Sequence, residues 1–326
     1  MGHRNKKYQF VVSPFFLGFI VLSLIVSALY IHVGAVKDQW IPAIISFVEI
    51  DSVSGNFSNM LALVFLSLSA LSLYILNEKV MTIGSKGAVL PMMYLVFTLI
   101  SPQAVYFSGA SVAAFLIIWS VYYSIHSKNG EKEFFLAGFF IASAAIFEPV
   151  VSLMIPFVIL FSFSGRSFTL RGLVTIIISV LIPFFFLLSL RYIFFQDALD
   201  FAEIFVDDIL KIESISLIQK KIADYAVLSV ILLLSVLSLF SVLRYVNRYK
   251  IIKSMALNRF FAILISGSVI LLLYPSIRDY FAPVIAVPVS VIITDALCEQ
   301  DKNTGKRVIF LIMIIFILIS RIAEFI

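Results

Sequence analysis

The sequence is short of charge and of cysteine. Only 13% of its 326 residues are charged, while 62% are hydrophobic, against roughly 25% and 45–50% in an ordinary soluble domain. A water-soluble fold cannot hide that much apolar surface. The single cysteine, Cys298, excludes an internal disulfide and a cysteine-based metal cage.

The motifs of soluble enzymes are also missing. The sequence has no phosphate-cradling Gly-rich loop, no Gly-x-Ser-x-Gly elbow and no His-Glu-x-x-His motif. Its three histidines, His3, His32 and His126, are far apart in the sequence, so no histidine metal site is expected. The net charge of +5 comes from short basic clusters between apolar runs. Orientation in a membrane explains those clusters better than nucleic-acid binding does.

Apolar runs fill the chain instead. Windows near the roughly 20 residues that cross about 30 Å of hydrocarbon lie at Phe10–Val33, Phe57–Leu76, Ala104–Ile125, Gly172–Phe195, Tyr225–Val246 and, continuing toward Ile326, Val308–Ile319. Shorter windows, broken by proline or polar residues, lie at Val89–Ser101, Phe134–Phe147, Val150–Phe163, Phe260–Tyr274 and Phe281–Leu297. The sequence therefore predicts an all-α polytopic integral membrane helix bundle of about eleven spans, with 1–326 as a single transmembrane domain.

Basic charge alternates from loop to loop in this arrangement. With the amino terminus inside, 17 of the 24 Lys and Arg residues fall in inner segments and 7 in outer ones, as the positive-inside rule requires. The amino terminus is then cytoplasmic and the carboxy terminus periplasmic, in a bacterial inner membrane. The inner segments, including 244–259, are expected to be ordinary basic loops. Dropping one short hairpin preserves the alternation, so nine spans are the alternative.

One of the short windows poses a problem of length. At about 1.5 Å per residue, Val89–Ser101 reaches only about 20 Å. This span must therefore be tilted, sunk among its neighbours, or extended into Pro102–Phe107.

Two outer segments have the pattern of interfacial amphipathic helices. Gly34–Gly55 carries an apolar stripe at helical spacing from Trp40 to Val48. Gln196–Asp224 combines seven acids with apolar residues at helical spacing, and it is expected to form one or two helices at the outer surface. The acids near the ends of the first stripe are Asp38, Glu49 and Asp51.

Charged side chains gather at the outer membrane boundary of this topology. Glu148 is either in a hairpin turn that reaches water or a carboxylate that lines an outward cavity. Arg191, at the end of a long apolar helix, either snorkels to the interface or binds substrate. The turn Tyr274–Phe281 holds Arg278, Asp279 and Tyr280. That turn is either a grip for a phosphate or sugar, because guanidinium groups match phosphate oxygens, or a local Arg–Asp pair without function.

Short motifs between Leu76 and Phe195 are shared with a known family. They are Leu76-Asn77-Glu78, Leu99-Ile100-Ser101-Pro102, the run 137–147 with Pro149, the run 161–168, Arg171-Gly172 and Ile182-Pro183-Phe184. On these motifs the sequence resembles a family of small polytopic inner-membrane proteins of Bacteroidetes that is named only as a domain of unknown function. The resemblance implies a cell type and a membrane, and no reaction.

The loop after the first span is similar, more loosely, to that of the C-superfamily glycosyltransferases, which use polyprenyl-phosphate sugars. In that family an acidic residue of the first outer loop serves as base or metal ligand, and interfacial helices follow the first span. The resemblance implies such a role for Asp38, Glu49 or Asp51. The adjacent pair of acids that is usual in the family is absent here.

These observations favour an envelope-glycan protein that acts on a polyprenyl-linked saccharide at the outer face of the inner membrane, as a glycosyltransferase or polymerase-like enzyme. Membrane lipid and a polyprenyl-phosphate-linked sugar are the expected partners, and no nucleic acid is expected. A transporter or lipid flippase, with broken helices such as Phe281–Leu297 around its cavity, and a non-catalytic scaffold of envelope or secretion machinery are the alternatives. Enzymatic activity therefore stays undecided.

The candidate residues divide by role. An outer carboxylate would deprotonate the acceptor or hold a divalent cation, and an arginine would neutralise the departing phosphate. The catalytic candidates are Asp38, Asp51 and Glu49, and the substrate-binding candidates are Glu148, Arg191, Arg278, Asp279 and Tyr280. No set of metal ligands is predicted beyond that single carboxylate.

Overall fold

The structure is a computed structural model that describes residues 14–31, 55–81, 87–126, 130–163, 170–210, 251–274 and 280–298, with isolated positions at 236, 277, 308, 311–312, 314–315 and 317. In this part of the chain there are ten α-helices and no strand. They are α1 (Pro14–Ile31), α2 (Gly55–Leu76), α3 (Val89–Thr98), α4 (Gly109–Ile125), α5 (Glu131–Phe147), α6 (Ile155–Ser162), α7 (Leu170–Phe194), α8 (Ala198–Leu210), α9 (Ile251–Leu273) and α10 (Ala282–Cys298). A π-helical turn (Asn77–Met81) continues α2, and 3-10 turns (Pro102–Val105 and Pro149–Met154) precede α4 and α6.

Three of the described helices are long and apolar enough to cross a membrane. They are Ser58–Val80, Leu170–Phe194 and Ile251–Leu273, and at about 1.5 Å per residue each exceeds 30 Å. Shorter apolar helices accompany them at Leu17–Val26, Val89–Thr98, Gly109–Ile125, Pro149–Ser162 and Ala282–Cys298. The described residues thus form a helical bundle of membrane-protein composition, and they do not by themselves give a count of eleven spans.

The short helices α3 and α10 lie inside the bundle, whereas the long helix α7 lies at its outside. Eight of the ten residues of α3 and fourteen of the seventeen of α10 are buried. By contrast, α7 turns large apolar side chains outward, such as Phe185, which is 75% exposed. A continuous apolar surface of this kind suits lipid and would be a liability in water.

The position of α3 shows how this short helix is accommodated. α3 packs against α1, α2 and α10, so it is sunk among its neighbours, as one of the three sequence alternatives proposed. It does not extend into Pro102–Phe107, because the helix ends at Thr98 and the 3-10 turn at Pro102–Val105 is separate.

A glycine sets the closest helix crossing near the candidate site. A Cβ at Gly138 in α5 would lie 2.8 Å from the carbonyl oxygen of Ile176 in α7 and would overlap the hydroxyl of Ser179. Small residues allow helix backbones to approach in this way in membranes. α5 and α7 run parallel, since Glu131 pairs with Arg171 at their first turns, at 2.7 Å, and Ile146 contacts Leu187 near their last turns.

The contacts between the described helices define two ends of the bundle. At one end the first three turns of α9 meet the last turns of α6 and α10, through Arg259 with Phe161 and Lys253 with Asp295. We call this the Lys253 end. At the other end α8 folds over the last turns of α5, α7 and α9. We call this the Glu148 end, after the residue that follows α5.

The start of α9 differs from the sequence prediction. The apolar window was expected at Phe260–Tyr274, with 244–259 as an ordinary basic loop, whereas the helix begins at Ile251. Lys253 and Arg259 are therefore inside the helix, and both are buried. Their charges depress the local hydropathy, but the buried stripe of the helix continues through Lys253, Leu257 and Phe260 at helical spacing.

Candidate functional site

The Glu148 end is covered by an amphipathic helix, α8. Its Phe201 and Phe205, four residues apart, pack with Ile146 and Leu187. Leu199, Val206 and Leu210 are exposed on a second face, and Asp200, Glu203 and Asp207 are exposed on a third. A helix with one packed, one apolar and one acidic face is typical of a membrane interface. The amphipathic helix predicted within Gln196–Asp224 is thus present as α8, and residues 211–224 lie outside the described part.

Arg191 fastens α8 to the end of α7. Its Nη1 donates to Asp197 Oδ2 at 2.7 Å, and its guanidinium lies 4.7 Å from the ring centre of Phe201. The chain reverses between these helices at Gln196, which has φ 55°. Since the Arg191 side chain is only 11% exposed, the reading in which it snorkels freely to the interface is wrong.

Glu148 lies beneath α8, at the junction of α5 and the following 3-10 turn. The residue is 2% exposed, so the reading of a hairpin turn that reaches water is wrong. Its backbone amide continues the helix by donating to Ala144, and its carbonyl accepts from Val151. The side-chain oxygen Oε1 is buried and has no hydrogen-bond partner among the described residues.

The electrostatics around Glu148 favour its protonated form. Burial, and to a smaller extent the negative charge of Asp208 in α8, raise the pKa of Glu148 from 4.5 to about 8. Asp208 follows Phe201 by seven residues and Phe205 by three, so it belongs to the packed face of α8. The two carboxyl groups therefore interact electrostatically at this end, and the raised pKa favours the protonated form of Glu148 near neutral pH.

The turn after α9 reaches the other end of α8. The hydroxyl of Tyr274 donates to the backbone carbonyl of Ile209, and burial raises the pKa of Tyr274. Tyr280, at the start of α10, is half-buried against the main core. α8 thus bridges Arg191 at its first turn and Tyr274 at its last.

The structure places only part of the predicted site. Glu148, Arg191 and Tyr280 are described, and the first two come to the same end on either side of the contact between Ile146, Leu187 and Phe201. They form no ion pair with each other, because Arg191 is held by Asp197. The other candidates lie outside the described residues: Asp38, Glu49, Asp51, Arg278 and Asp279.

Sequence reasoning missed a second set of buried charges at the Lys253 end. Lys253 Nζ lies 2.7 Å from Asp295 Oδ1, with side-chain exposures of 6% and 0%. Arg259, at 3% exposure, donates from Nη2 to the carbonyl oxygen of Phe161 at 3.3 Å. A usable signal was present for Lys253, which continues the apolar stripe of α9, and for Asp208, which continues that of α8.

No larger cluster of metal-ligand side chains stands beside these groups. Within the ranges that the structure describes, His, Cys, Asp and Glu residues nowhere gather in threes. Glu148 and Asp208 are two carboxyl groups that interact electrostatically, and such a pair is suited to holding and moving a proton.

Buried short helices, lipid-facing long helices and an amphipathic cover over one end define a helical membrane protein. The chain belongs to the family of unknown function DUF6427, whose model matches residues 43–326. No curated protein and no solved structure matches the chain.

Proposed function

We propose that the chain is an envelope-glycan protein of a bacterial inner membrane that acts on a polyprenyl-linked saccharide, as a glycosyltransferase or polymerase-like enzyme. In this proposal the Glu148 end faces the periplasm, the amino terminus is cytoplasmic, and about eleven spans, or nine if one short hairpin does not cross, complete the bundle. The split of 17 inner and 7 outer basic residues supports this orientation.

The observation that carries the proposal is the buried carboxyl of Glu148 under the amphipathic α8. A lipid-borne headgroup arrives at the level of the membrane surface, and α8 lies at the end of the apolar helices, where such a group enters. The exposed apolar side chains of α8, among them Leu199 and Leu210, face the layer that holds the polyprenyl chain.

Glu148 suits proton transfer in a glycosyl-transfer step. With its pKa at about 8, the carboxyl can accept the proton of an acceptor hydroxyl or donate one to a leaving oxygen near neutral pH. Burial causes most of that rise in pKa, and the negative charge of Asp208 adds to it. Asp38 or Asp51 in the first outer loop would share the role of base or hold a divalent cation, and Arg278 would neutralise the departing phosphate.

Membranes that contain the protein test the proposal directly. We expect Glu148→Gln to lower formation of a new glycosidic bond from a polyprenyl-phosphate-linked saccharide by roughly 10²-fold, the lower range for a general acid or base. Glu203→Gln is the matched control, because Glu203 is an exposed acid of α8, the helix that covers Glu148. The proposal is wrong if two results are found together. One is full product formation by Glu148→Gln and by Asp208→Asn, and the other is full complementation of a deletion by Asp38→Ala, Asp51→Ala and Arg278→Ala.

A transporter or lipid flippase is the second candidate, and the buried Lys253–Asp295 pair favours it. Ionisable residues inside a membrane bundle commonly mark a substrate or ion pathway. Reconstitution in liposomes separates the two functions. Movement of the intact lipid-linked saccharide from one leaflet to the other supports transport, and a new glycosidic bond supports the enzyme.

A further inference from the structure

Two buried cations in α9 have different surroundings. Lys253 is neutralised by Asp295 at 2.7 Å. Arg259, six residues later, has Phe161 as its only hydrogen-bond partner within the described residues, and its Nε and Nη1 atoms are buried without a partner there. One guanidinium at the Lys253 end is thus buried without a counter-charge in the described part of the chain.

Such a group is costly to bury. A guanidinium stays charged under all ordinary conditions and carries five N–H donors. Removal of such a charge from water is strongly unfavourable unless an anion and hydrogen-bond acceptors replace the water. The carbonyl of Phe161, at the carboxyl end of α6, supplies one acceptor and a part of the helix dipole. The remaining donors still require an acceptor.

The neighbouring elements offer no carboxylate. The 3-10 turn Pro149–Met154 and α6, which pack against α9, contain no charged residue. Asp295 is engaged with Lys253, and Glu78, in the π-helical turn near the start of α9, lies against Gly87. In sequence, the segment 164–169 that follows α6 contains Arg166 and no acid. The described elements around Arg259 therefore supply no carboxylate that neutralises it.

We propose that Arg259 is the centre of a phosphate-binding site at the Lys253 end of the bundle. Phosphate oxygens match the donors of a guanidinium group, and Phe161 is the second-last residue of α6. The guanidinium therefore lies beside the carboxyl end of α6, at the end of the bundle that would face one leaflet of a membrane. The ligand class is a phosphate group, either on a lipid of that leaflet or free. This site is separate from the one at the Glu148 end.

Direct binding to the purified full-length protein tests the proposal. The probes are phosphatidic acid and diacylglycerol with the same acyl chains, which differ only in the phosphate, and inorganic phosphate. We expect wild type in mixed micelles to bind phosphatidic acid at least about tenfold more tightly than diacylglycerol. Binding of inorganic phosphate as well assigns the site to the phosphate group alone, and binding of phosphatidic acid only assigns it to a lipid. Absence of both overturns the proposal, and this comparison needs no variant.

Matched variants locate the site. Arg259→Gln is expected to remove the preference for phosphatidic acid, and Arg259→Lys to keep a part of it, because the charge stays and the fork is lost. The double variant Lys253→Met with Asp295→Leu removes the neutralised pair from the same helix and is expected to keep the full preference. If Arg259→Gln folds and retains the wild-type ratio of affinities, the guanidinium is only a cap of α6 and the proposal is wrong. Because the readout is binding at the Lys253 end, its failure leaves the proposed glycosyl transfer untouched.

Discussion

Glu148 and Asp295 are the two deeply buried acids of the described residues, and their surroundings are opposite. Asp295 has an ammonium group at 2.7 Å, whereas Glu148 has a second acid, Asp208, as its electrostatic neighbour. A buried acid with a cation can be explained by the packing of two helices. A buried acid next to another acid lowers stability when it ionises, and packing gives no reason for it. The comparison therefore directs the search for chemistry to the Glu148 end.

The largest expected effect on stability concerns the buried ion pair of Lys253 and Asp295. Lys253→Met leaves Asp295 buried without its cation and should reduce the free energy of unfolding by about 3–5 kcal/mol. The double variant Lys253→Met with Asp295→Leu should recover most of that loss, since no lone charge remains. Unfolding in mixed micelles by an added denaturing detergent measures both. A double variant as unstable as the single one would show that a lone buried charge is not the cause of the loss, and it would contradict the comparison with Glu148.

The second effect concerns Glu148 and pH. Its folded-state pKa of about 8 lies above the ordinary value of 4.5, so the folded protein binds the proton more tightly than the unfolded chain. Stability from this group is fully present below pH 4.5 and falls as the pH rises toward 8, by roughly 4 kcal/mol. Thermal unfolding at several pH values measures the slope. Glu148→Gln should flatten it, and an unchanged slope in that variant would show that another group titrates.

A smaller effect is expected where α8 is fastened. Arg191→Met removes the ion pair with Asp197 and the contact with Phe201, and a loss of about 1–2 kcal/mol is reasonable for a partly buried pair. Hydrogen exchange should become faster in α8 and stay unchanged in α3, which packs elsewhere. Equal protection of α8 in wild type and variant would mean that the aromatic contacts alone hold it.

The smallest effect is expected at an exposed pair. Arg171 and Glu131 lie 2.7 Å apart at the first turns of α7 and α5, with exposures of 81% and 48%. Arg171→Gln should cost less than about 1 kcal/mol, because water and salt screen such a pair. The same unfolding assay measures it. A loss as large as that of Lys253→Met would mean that distance, and not burial, governs the strength of ion pairs in this protein.

Much of the fold can be predicted from apolar runs. The runs beginning at Phe57, Phe134 and Gly172 correspond to α2, α5 and α7, since a long apolar segment has few alternatives to a helix. The start of α9 was missed because Lys253 and Arg259 look like loop residues in a hydropathy window. Their burial depends on Asp295 and Phe161, which lie 42 and 98 positions away.

The sequence predicts at which end of the bundle the site residues lie, and it does not predict the contacts between them. Alternation of the loops puts Glu148 and Arg191 at one end, and the structure brings both there. The contacts depend on the reversal of the chain at Gln196, which folds α8 back. Asp197 then forms an ion pair with Arg191, and the charge of Asp208 acts on Glu148. A positive φ at a glutamine has no clear sequence signature, and so this pairing was not foreseen.

α9 runs from the Lys253 end to the Glu148 end and has contacts at both. It is one unbroken helix of 23 residues, about 34 Å long, without an internal proline. Its first turn is tied to α10 by Lys253, and just past its last turn Tyr274 is tied to α8 by a hydrogen bond to Ile209. A stiff rod fixed at both tips cannot slide at one without moving the other. A shift of α9 along its axis would therefore displace its contacts at both faces of the bundle.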